Sequence, residues 1–171
     1  MSKNFKALEF STIINNTLHE RGLLLASIGE EGSANVMTIG WGHIGVLWRK
    51  PFFIAYIRHS RYSHSLIEQV GDFTVNVPPN DFENVLEFCG TKSGRYVDKI
   101  KELGLKTKRS TNVRSPSLSE CLINLECKVV FKKEIEEKDV PLNDRSKFYP
   151  NDDYHTCYFA EIVGFDLRDT R

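Results

Sequence analysis

Apolar residues occur in short runs separated by turn-forming residues, which is the pattern of β-strands. Residues 23–28 are followed by the glycine-containing turn 29–32 and then by residues 35–41, so we predict a hairpin. Residues 52–57 and 73–77 are each short and almost wholly apolar or β-branched. We therefore predict that both are buried strands.

Three other segments show helical spacing. Residues 63–70 are predicted to form a short helix that ends at Gly71. A longer helix is predicted to begin at Asn80, with Glu83 in a capping-box position, and to end at Gly90. Residues 95–103 give a third predicted helix.

The C-terminal half contains two long alternating segments, residues 121–131 and 156–167. Both are predicted strands, whereas the polar segment 132–153 between them is of a kind that is either mobile or functional. Many strands with only short helices predict a mainly β protein, and we expect an antiparallel barrel.

Length and charge limit the classes of function. The chain has 171 residues, and its 23 Lys and Arg balance its 23 Asp and Glu, so no overall field attracts nucleic acid or an anionic membrane. We expect one domain over residues 1–171. No stretch is apolar enough for a membrane span or a signal peptide, so we expect a cytoplasmic protein.

The cysteines and histidines do not form a metal-binding pattern. Cys89, Cys121, Cys127 and Cys157 are scattered through apolar or periodic segments, so we expect buried, reduced thiols. The five histidines show no ligand spacing typical of zinc. We therefore predict that the protein holds no metal.

A candidate anion site follows the strand 52–57. Arg58, Ser60, Arg61 and Ser63 place cations and hydroxyls at the start of a predicted helix, where free N–H groups and the helix dipole favour a phosphate. The alternative is a surface loop with solvated arginines. Residues 92–95 form a second cationic entrance of this kind, unless they are an ordinary helix cap.

Residues 40–45 match G-x-G-x-x-G, but no helix follows and no acidic residue stands where a ribose would need it. A Rossmann site is therefore disfavoured. Met37, Gly40 and Trp41 would instead suit a flat heterocycle whose phosphate reaches the cationic loop. Flavin mononucleotide (FMN) has that shape.

These motifs, in this order, resemble the flavin reductase-like family and specifically its flavoredoxin branch. The resemblance begins near residue 20 and includes residues 35–42, 58–63, 73–78 and 89–95, and the segment around His155. It implies an FMN-binding split β-barrel that forms a homodimer, with the flavin near the subunit interface.

The resemblance also implies roles for individual residues. The flavin ring would lie against Met37, Thr38, Ile39, Gly40 and Trp41, through backbone groups and the Thr38 hydroxyl. The phosphate would bind Arg58, Ser60, Arg61, Tyr62 and Ser63, and the ring or ribityl chain would lie near Cys89, Gly90, Lys92, Ser93 and Gly94. His155 would be catalytic, beside the nicotinamide, although a histidine bonded to a neighbouring carboxylate would explain it equally well.

Two functions follow from the resemblance. The first is an NAD(P)H-dependent flavin reductase, with NADH or NADPH as the electron donor. The second is a flavoredoxin-type carrier that passes electrons between redox partner proteins without using NAD(P)H. A split-barrel module without flavin is a third, non-redox alternative, and the cationic loop at residues 58–63 argues against it.

Overall fold

The computed structural model describes residues 3–168, and it is built mainly from β-strands. Seven strands form one sheet: β1 (Leu23–Ile28), β2 (Ala34–Ile39), β3 (Gly42–Leu47), β4 (Lys50–Arg58), β5 (Asp72–Val77), β8 (Ile123–Glu134) and β9 (His155–Leu167). The short strands β6 (Thr107–Lys108) and β7 (Ser117–Leu118) pair separately. The predicted hairpin of β1 and β2 and the two long C-terminal strands are confirmed.

The large sheet has the strand order β2-β1-β5-β8-β9-β4-β3, and every neighbouring pair is antiparallel. The sequence analysis did not predict β3. It pairs with β4 through a tight turn in which Trp48 and Arg49 have φ of 50° and 60°, which is the mirror-image turn that suits the twist of a hairpin. An antiparallel sheet is incompatible with a Rossmann fold, since that fold needs parallel strands.

Five α-helices pack around the described sheet: α1 (Ser11–Glu20), α2 (Tyr62–Val70), α3 (Glu83–Thr91), α4 (Lys99–Glu102) and α5 (Leu142–Phe148). A 3-10 helix, Lys3–Phe10, precedes α1. Helix α2 ends at Gly71 as predicted, with φ of 76°. No helix in residues 3–168 is both long enough and apolar enough to cross a membrane.

Two predicted helices have different limits. Helix α3 has no side-chain cap, and it continues through Gly90 to Thr91. The predicted helix 95–103 is reduced to α4, because the Asp98 side chain accepts a hydrogen bond from the Lys101 N–H (3.1 Å) and so fixes the helix start at Lys99. Residues 93–97 form a turn instead.

Strand β1 is buried on both faces, which explains its continuous apolar sequence. Leu23 and Leu25 face the main core, where they lie with Phe73 and Tyr158 among others. Leu24 and Ala26 point to the opposite face, where α3 packs through Leu86 and Cys89. Helix α3 is thereby fixed against the β1–β2 hairpin, and its C-terminal end is held close to β2.

All four cysteines are buried and free, as predicted. Burial raises the pKa of the Cys121 thiol to about 12 and that of Cys157 to about 11. These thiols therefore stay protonated near neutral pH and behave as small apolar groups.

Candidate functional site

Two adjoining concave surfaces lie where the end of β2 faces β4, β9 and the start of α2. The first, here called the central cleft, has a volume of about 260 Å³ and is lined by Met37, Thr38, Ile39, Gly40, Trp41, Tyr56, Arg58, Arg61 and His155. The second, here called the cationic pocket, has a volume of about 70 Å³ and is lined by Asn35, Met37, Ser60, Arg61, Tyr62, Ser63, Thr91, Lys92, Ser93, Gly94 and Lys99. Met37 and Arg61 line both surfaces, so the two form one continuous site.

The cationic pocket contains a buried lysine. Only 2% of Lys99 is exposed, and its Nζ donates to the Cys89 carbonyl (3.2 Å). Neither Lys99 nor Arg61 forms a salt bridge with a carboxylate in residues 3–168. Burial, together with the like charge of Arg61, lowers the pKa of Lys99 to about 8.

Burial also lowers the pKa of Arg61, although the more distant Asp153 opposes that effect. The Arg61 guanidinium donates to the carbonyls of Gly90 (2.7 Å) and Cys89 (3.2 Å) at the C-terminal end of α3. Two adjacent cations without a bound carboxylate are costly to bury unless an anion neutralises them. The pocket therefore has the electrostatics of an anion site.

The far wall of the cationic pocket depends on a close approach of backbone to side chain. A Cβ atom on Gly94 would lie 2.1 Å from the Asn35 Oδ1 atom and 2.9 Å from the Tyr62 ring. Asn35 is itself buried and donates to the Ser63 hydroxyl (2.9 Å). Gly94 thus lets the turn 93–97 close over β2 and α2.

Cys89 and Gly90, whose place near the ring or ribityl chain stays a prediction, contact the cations of the pocket through their backbone. Cys89 is fully buried and does not line either concave surface. The backbone carbonyls of both residues instead accept hydrogen bonds from the cations of the pocket. These two residues position Arg61 and Lys99.

Arg58 and Ser60, for which phosphate binding stays a prediction, both form hydrogen bonds with protein groups in this structure. The Arg58 guanidinium donates to the carbonyls of Phe148 (2.8 Å) and Asp153. The Ser60 hydroxyl donates to the Asp153 carboxylate (2.6 Å), and the Ser60 N–H donates to the same group (3.2 Å). Both side chains are engaged in holding the segment after α5, which the local sequence around residue 60 could not reveal.

Thr38 lines the central cleft, and its hydroxyl donates to the Leu86 carbonyl in α3 (2.6 Å). The hydroxyl can still accept a hydrogen bond, so its predicted contact with a flavin ring stays a prediction. Met37 is almost fully buried, whereas Gly40 and Trp41 are exposed to the cleft.

His155 lies at the start of β9 and lines the central cleft. Its Nδ1 is 2.8 Å from the Tyr149 hydroxyl, so its partner is a phenol and not the carboxylate considered from the sequence. Its ring packs on Trp41 with centroids 4.5 Å apart. Burial, with a smaller contribution from the Arg58 cation, lowers the pKa of His155 to about 4, so the imidazole is neutral near pH 7.

Five residues of the site were not predicted from the sequence: Asn35, Tyr56, Thr91, Lys99 and Tyr149. Asn35, Thr91 and Lys99 lie within segments that carry the resemblance or next to them, but none was assigned a role. Tyr56 lies on the face of β4 opposite its core residues, and Tyr149 follows α5. Tyr149 could not have been found from spacing, because its contact with His155 depends on the course of the polar segment before β9.

The site is thus an open cleft with an adjoining cationic pocket, at one end of an antiparallel sheet. The chain belongs to the flavin reductase-like family, whose domain model matches residues 18–171. An uncharacterised protein of Archaeoglobus fulgidus is 40% identical over 129 residues, which cover 75% of this chain and 63% of that protein. The matched part is thus less than two thirds of that relative's length. An uncharacterised protein of Pyrococcus abyssi is 34% identical over 150 residues, 86% of this chain and 73% of that protein.

Solved structures identify the fold. Flavoredoxin of Desulfovibrio vulgaris (Miyazaki F) superposes with a TM-score of 0.70 at 21% identity, over 87% of this chain and 70% of that one. An FMN-binding domain of a flavin reductase-like enzyme from Shewanella baltica gives a TM-score of 0.64 at 19% identity, over 91% and 73%. The fold is that of the split-barrel flavin reductase-like proteins, as the resemblance implied.

Proposed function

We propose that this protein binds FMN and acts as an oxidoreductase. The observation that carries the proposal is the cationic pocket, which contains the buried Lys99 and the half-buried Arg61. Neither residue forms a salt bridge with a carboxylate among residues 3–168. A phosphate dianion there would neutralise both cations and accept charge-assisted hydrogen bonds. The flavoredoxin and FMN-binding structures with the same fold support the choice of FMN.

The residues present suit the rest of the molecule. Lys92 and Ser93 stand at the edge of the cationic pocket and would add to phosphate binding. The exposed backbone at Gly40 and the aromatic walls Trp41 and Tyr56 suit a flat ring in the central cleft. Bound FMN would supply the redox chemistry by accepting electrons from one reactant and passing them to another.

His155 would act as a neutral group in this site. An imidazole with a pKa of about 4 is almost entirely neutral at pH 7. Because the imidazolium form is scarce there, His155 is a poor general acid. We propose that His155, held by Tyr149, orients a ring or accepts a hydrogen bond at the mouth of the central cleft. The nicotinamide contact implied by the resemblance is compatible with this role.

The electron donor divides the proposal into two forms. In the first, the protein is an NAD(P)H-dependent flavin reductase. In the second, it is an electron carrier that exchanges electrons with redox partner proteins. The first form is compatible with the open central cleft, because a second ring can approach an occupant of the cleft from solvent.

Anaerobic stopped-flow spectroscopy separates these forms. We expect rapid bleaching of the visible absorbance of oxidised flavin when FMN-loaded protein is mixed with NADH or NADPH. Prompt reduction by dithionite, without bleaching by either nucleotide, would show the carrier form instead. A protein that takes up no FMN would contradict both.

We further propose that the protein functions as a homodimer. A patch of aromatic side chains on the outer face of β3, β4, β8 and β9 supports this proposal. Trp48 is 64% exposed and packs on Phe131 with centroids 5.5 Å apart, and Phe131 stacks on Phe159 at 4.2 Å. Large exposed apolar patches mark protein contact surfaces.

A further inference from the structure

A third concave surface, here called the side cleft, adjoins the central cleft from the side of α1. It has a volume of about 420 Å³ and is lined by Asn15, Leu18, His19, Gly40, Trp41, Gly42, His43 and Tyr56. Gly40, Trp41 and Tyr56 also line the central cleft. A molecule in the side cleft would therefore lie directly beside an occupant of the central cleft.

The side cleft has flat walls. The Trp41 indole is 37% exposed at its boundary, and the rings of His43 and Tyr56 meet edge to face with centroids 5.4 Å apart. The Leu18 side chain contributes an apolar floor. Aromatic walls of this kind bind planar rings by stacking and edge contacts.

Its charge differs from that of the site described above. Within residues 3–168, no Lys, Arg, Asp or Glu side chain lines the side cleft, whereas Arg58 and Arg61 line the central cleft. Its polar groups are the Asn15 amide, the Tyr56 hydroxyl and the imidazoles of His19 and His43. The His43 Nε2 atom and the Tyr56 hydroxyl are 3.1 Å apart, so their polar edges meet at one place on the wall.

We propose that the side cleft is a binding site for an uncharged, planar ring compound that carries an amide or carbonyl group. The flat walls provide the stacking surface, and the polar groups of Asn15, His43 and Tyr56 provide hydrogen bonds for the amide or carbonyl. A phosphate-bearing ligand is selected against, because the lining has no Lys or Arg to neutralise it. The proposal does not require that FMN be the occupant of the central cleft.

The test uses two probes of the same size, uncharged 2-naphthamide and anionic 2-naphthoate. The chain has two tryptophans, so a Trp48→Phe background leaves Trp41 as the single indole N–H signal in a ¹H–¹⁵N NMR spectrum. We expect 2-naphthamide to shift that signal in flavin-free protein with a Kd of about 1 mM or tighter, as a ligand of that size allows. We expect 2-naphthoate to bind at least about fivefold more weakly, since its charge finds no partner.

Two substitutions outside the central cleft locate the binding. His43→Ala removes part of the wall, and His19→Phe fills the cleft from an exposed position on α1 without adding an indole, so each should weaken 2-naphthamide binding at least about fivefold. Val46→Ala is the matched control, because Val46 is exposed on the same strand as His43 but does not line the cleft. Its affinity should equal that of the background.

Three results would overturn the proposal. They are equal binding of the two probes, unchanged binding in both histidine variants, and simple competition between 2-naphthamide and FMN, which would place the probe in the central cleft. If a second copy of the chain covered the side cleft, 2-naphthamide would bind only at low protein concentration. That result would also overturn the proposal. FMN uptake is measured separately by flavin fluorescence, so failure of one proposal is not confused with failure of the other.

Discussion

Lys99→Met is expected to stabilise the flavin-free protein by about 3 kcal/mol at pH 7 and to weaken FMN binding. The pKa of Lys99 falls from 10.5 to about 8 in the folded protein, so the unfolded chain holds this proton more tightly. Methionine keeps an unbranched apolar side chain and removes the buried charge. For a chain of this size the melting temperature should rise by roughly 6–12 °C.

The pH dependence of stability provides a second signature of Lys99. Below pH 8 the lysine is protonated in both states, and the full penalty applies. Between pH 8 and 10.5 only the unfolded chain retains the proton, so the Lys99 penalty disappears as the pH rises through this window. The buried thiols act in the opposite sense in both proteins, because Cys121 and Cys157 ionise there only in the unfolded chain. Chemical unfolding of flavin-free protein should therefore show that the stability difference between Lys99→Met and the wild type shrinks from pH 8 to pH 10.5.

The same substitution should weaken FMN binding by about 10- to 100-fold, the value of one charge-assisted hydrogen bond. Lys101→Met is the control, because Lys101 lies on the same short helix but is exposed and does not line the pocket. Equal changes in both variants would contradict the role of Lys99. So would a Lys99→Met protein that is less stable than the wild type at pH 7.

Gly94→Ala is expected to lower FMN affinity by at least about tenfold, as measured by flavin fluorescence titration. The new methyl group would lie 2.1 Å from the Asn35 Oδ1 atom, so Asn35 must move and its hydrogen bond to Ser63 (2.9 Å) must lengthen or break. The loss combines one buried hydrogen bond with a displaced pocket wall.

Gly45→Ala is the matched control for Gly94→Ala. Its Cβ atom would meet nothing within 4 Å, and the position lies on β3, away from the cationic pocket. It should bind FMN like the wild type. If Gly94→Ala also bound FMN like the wild type, the close approach at the pocket wall would have no part in binding.

The strands were predictable from sequence because the pattern of apolar residues within each strand reflects which of its faces are buried. β1 has apolar residues on both faces, and β8 and β9 alternate over long stretches, so periodicity alone located them. Strand β3 was missed because it lies at the edge of the sheet and has partly exposed residues on both faces. Its glycines also resembled a nucleotide-binding loop more than a strand.

The cations of the site show the limit of local patterns. Arg58 and Arg61 are three residues apart and look equivalent in sequence, yet Arg61 turns to the end of α3 while Arg58 turns to the segment after α5. Lys99 resembles any helical lysine, and its burial arises from the packing of α4 against β2 and α3. Such differences depend on contacts between segments that are distant in sequence, which single-sequence patterns do not contain.

A comparison of FMN with riboflavin tests the central claim most directly, because riboflavin has the same ring system and no phosphate. Fluorescence titration of flavin-free protein should show FMN binding at least about 100-fold more tightly than riboflavin, since the buried Lys99 and the half-buried Arg61 would both contact the phosphate. In Lys99→Met that ratio should fall at least about tenfold, while riboflavin affinity stays within about threefold of the wild type. Equal affinities for the two flavins, or no binding of either, would contradict the account.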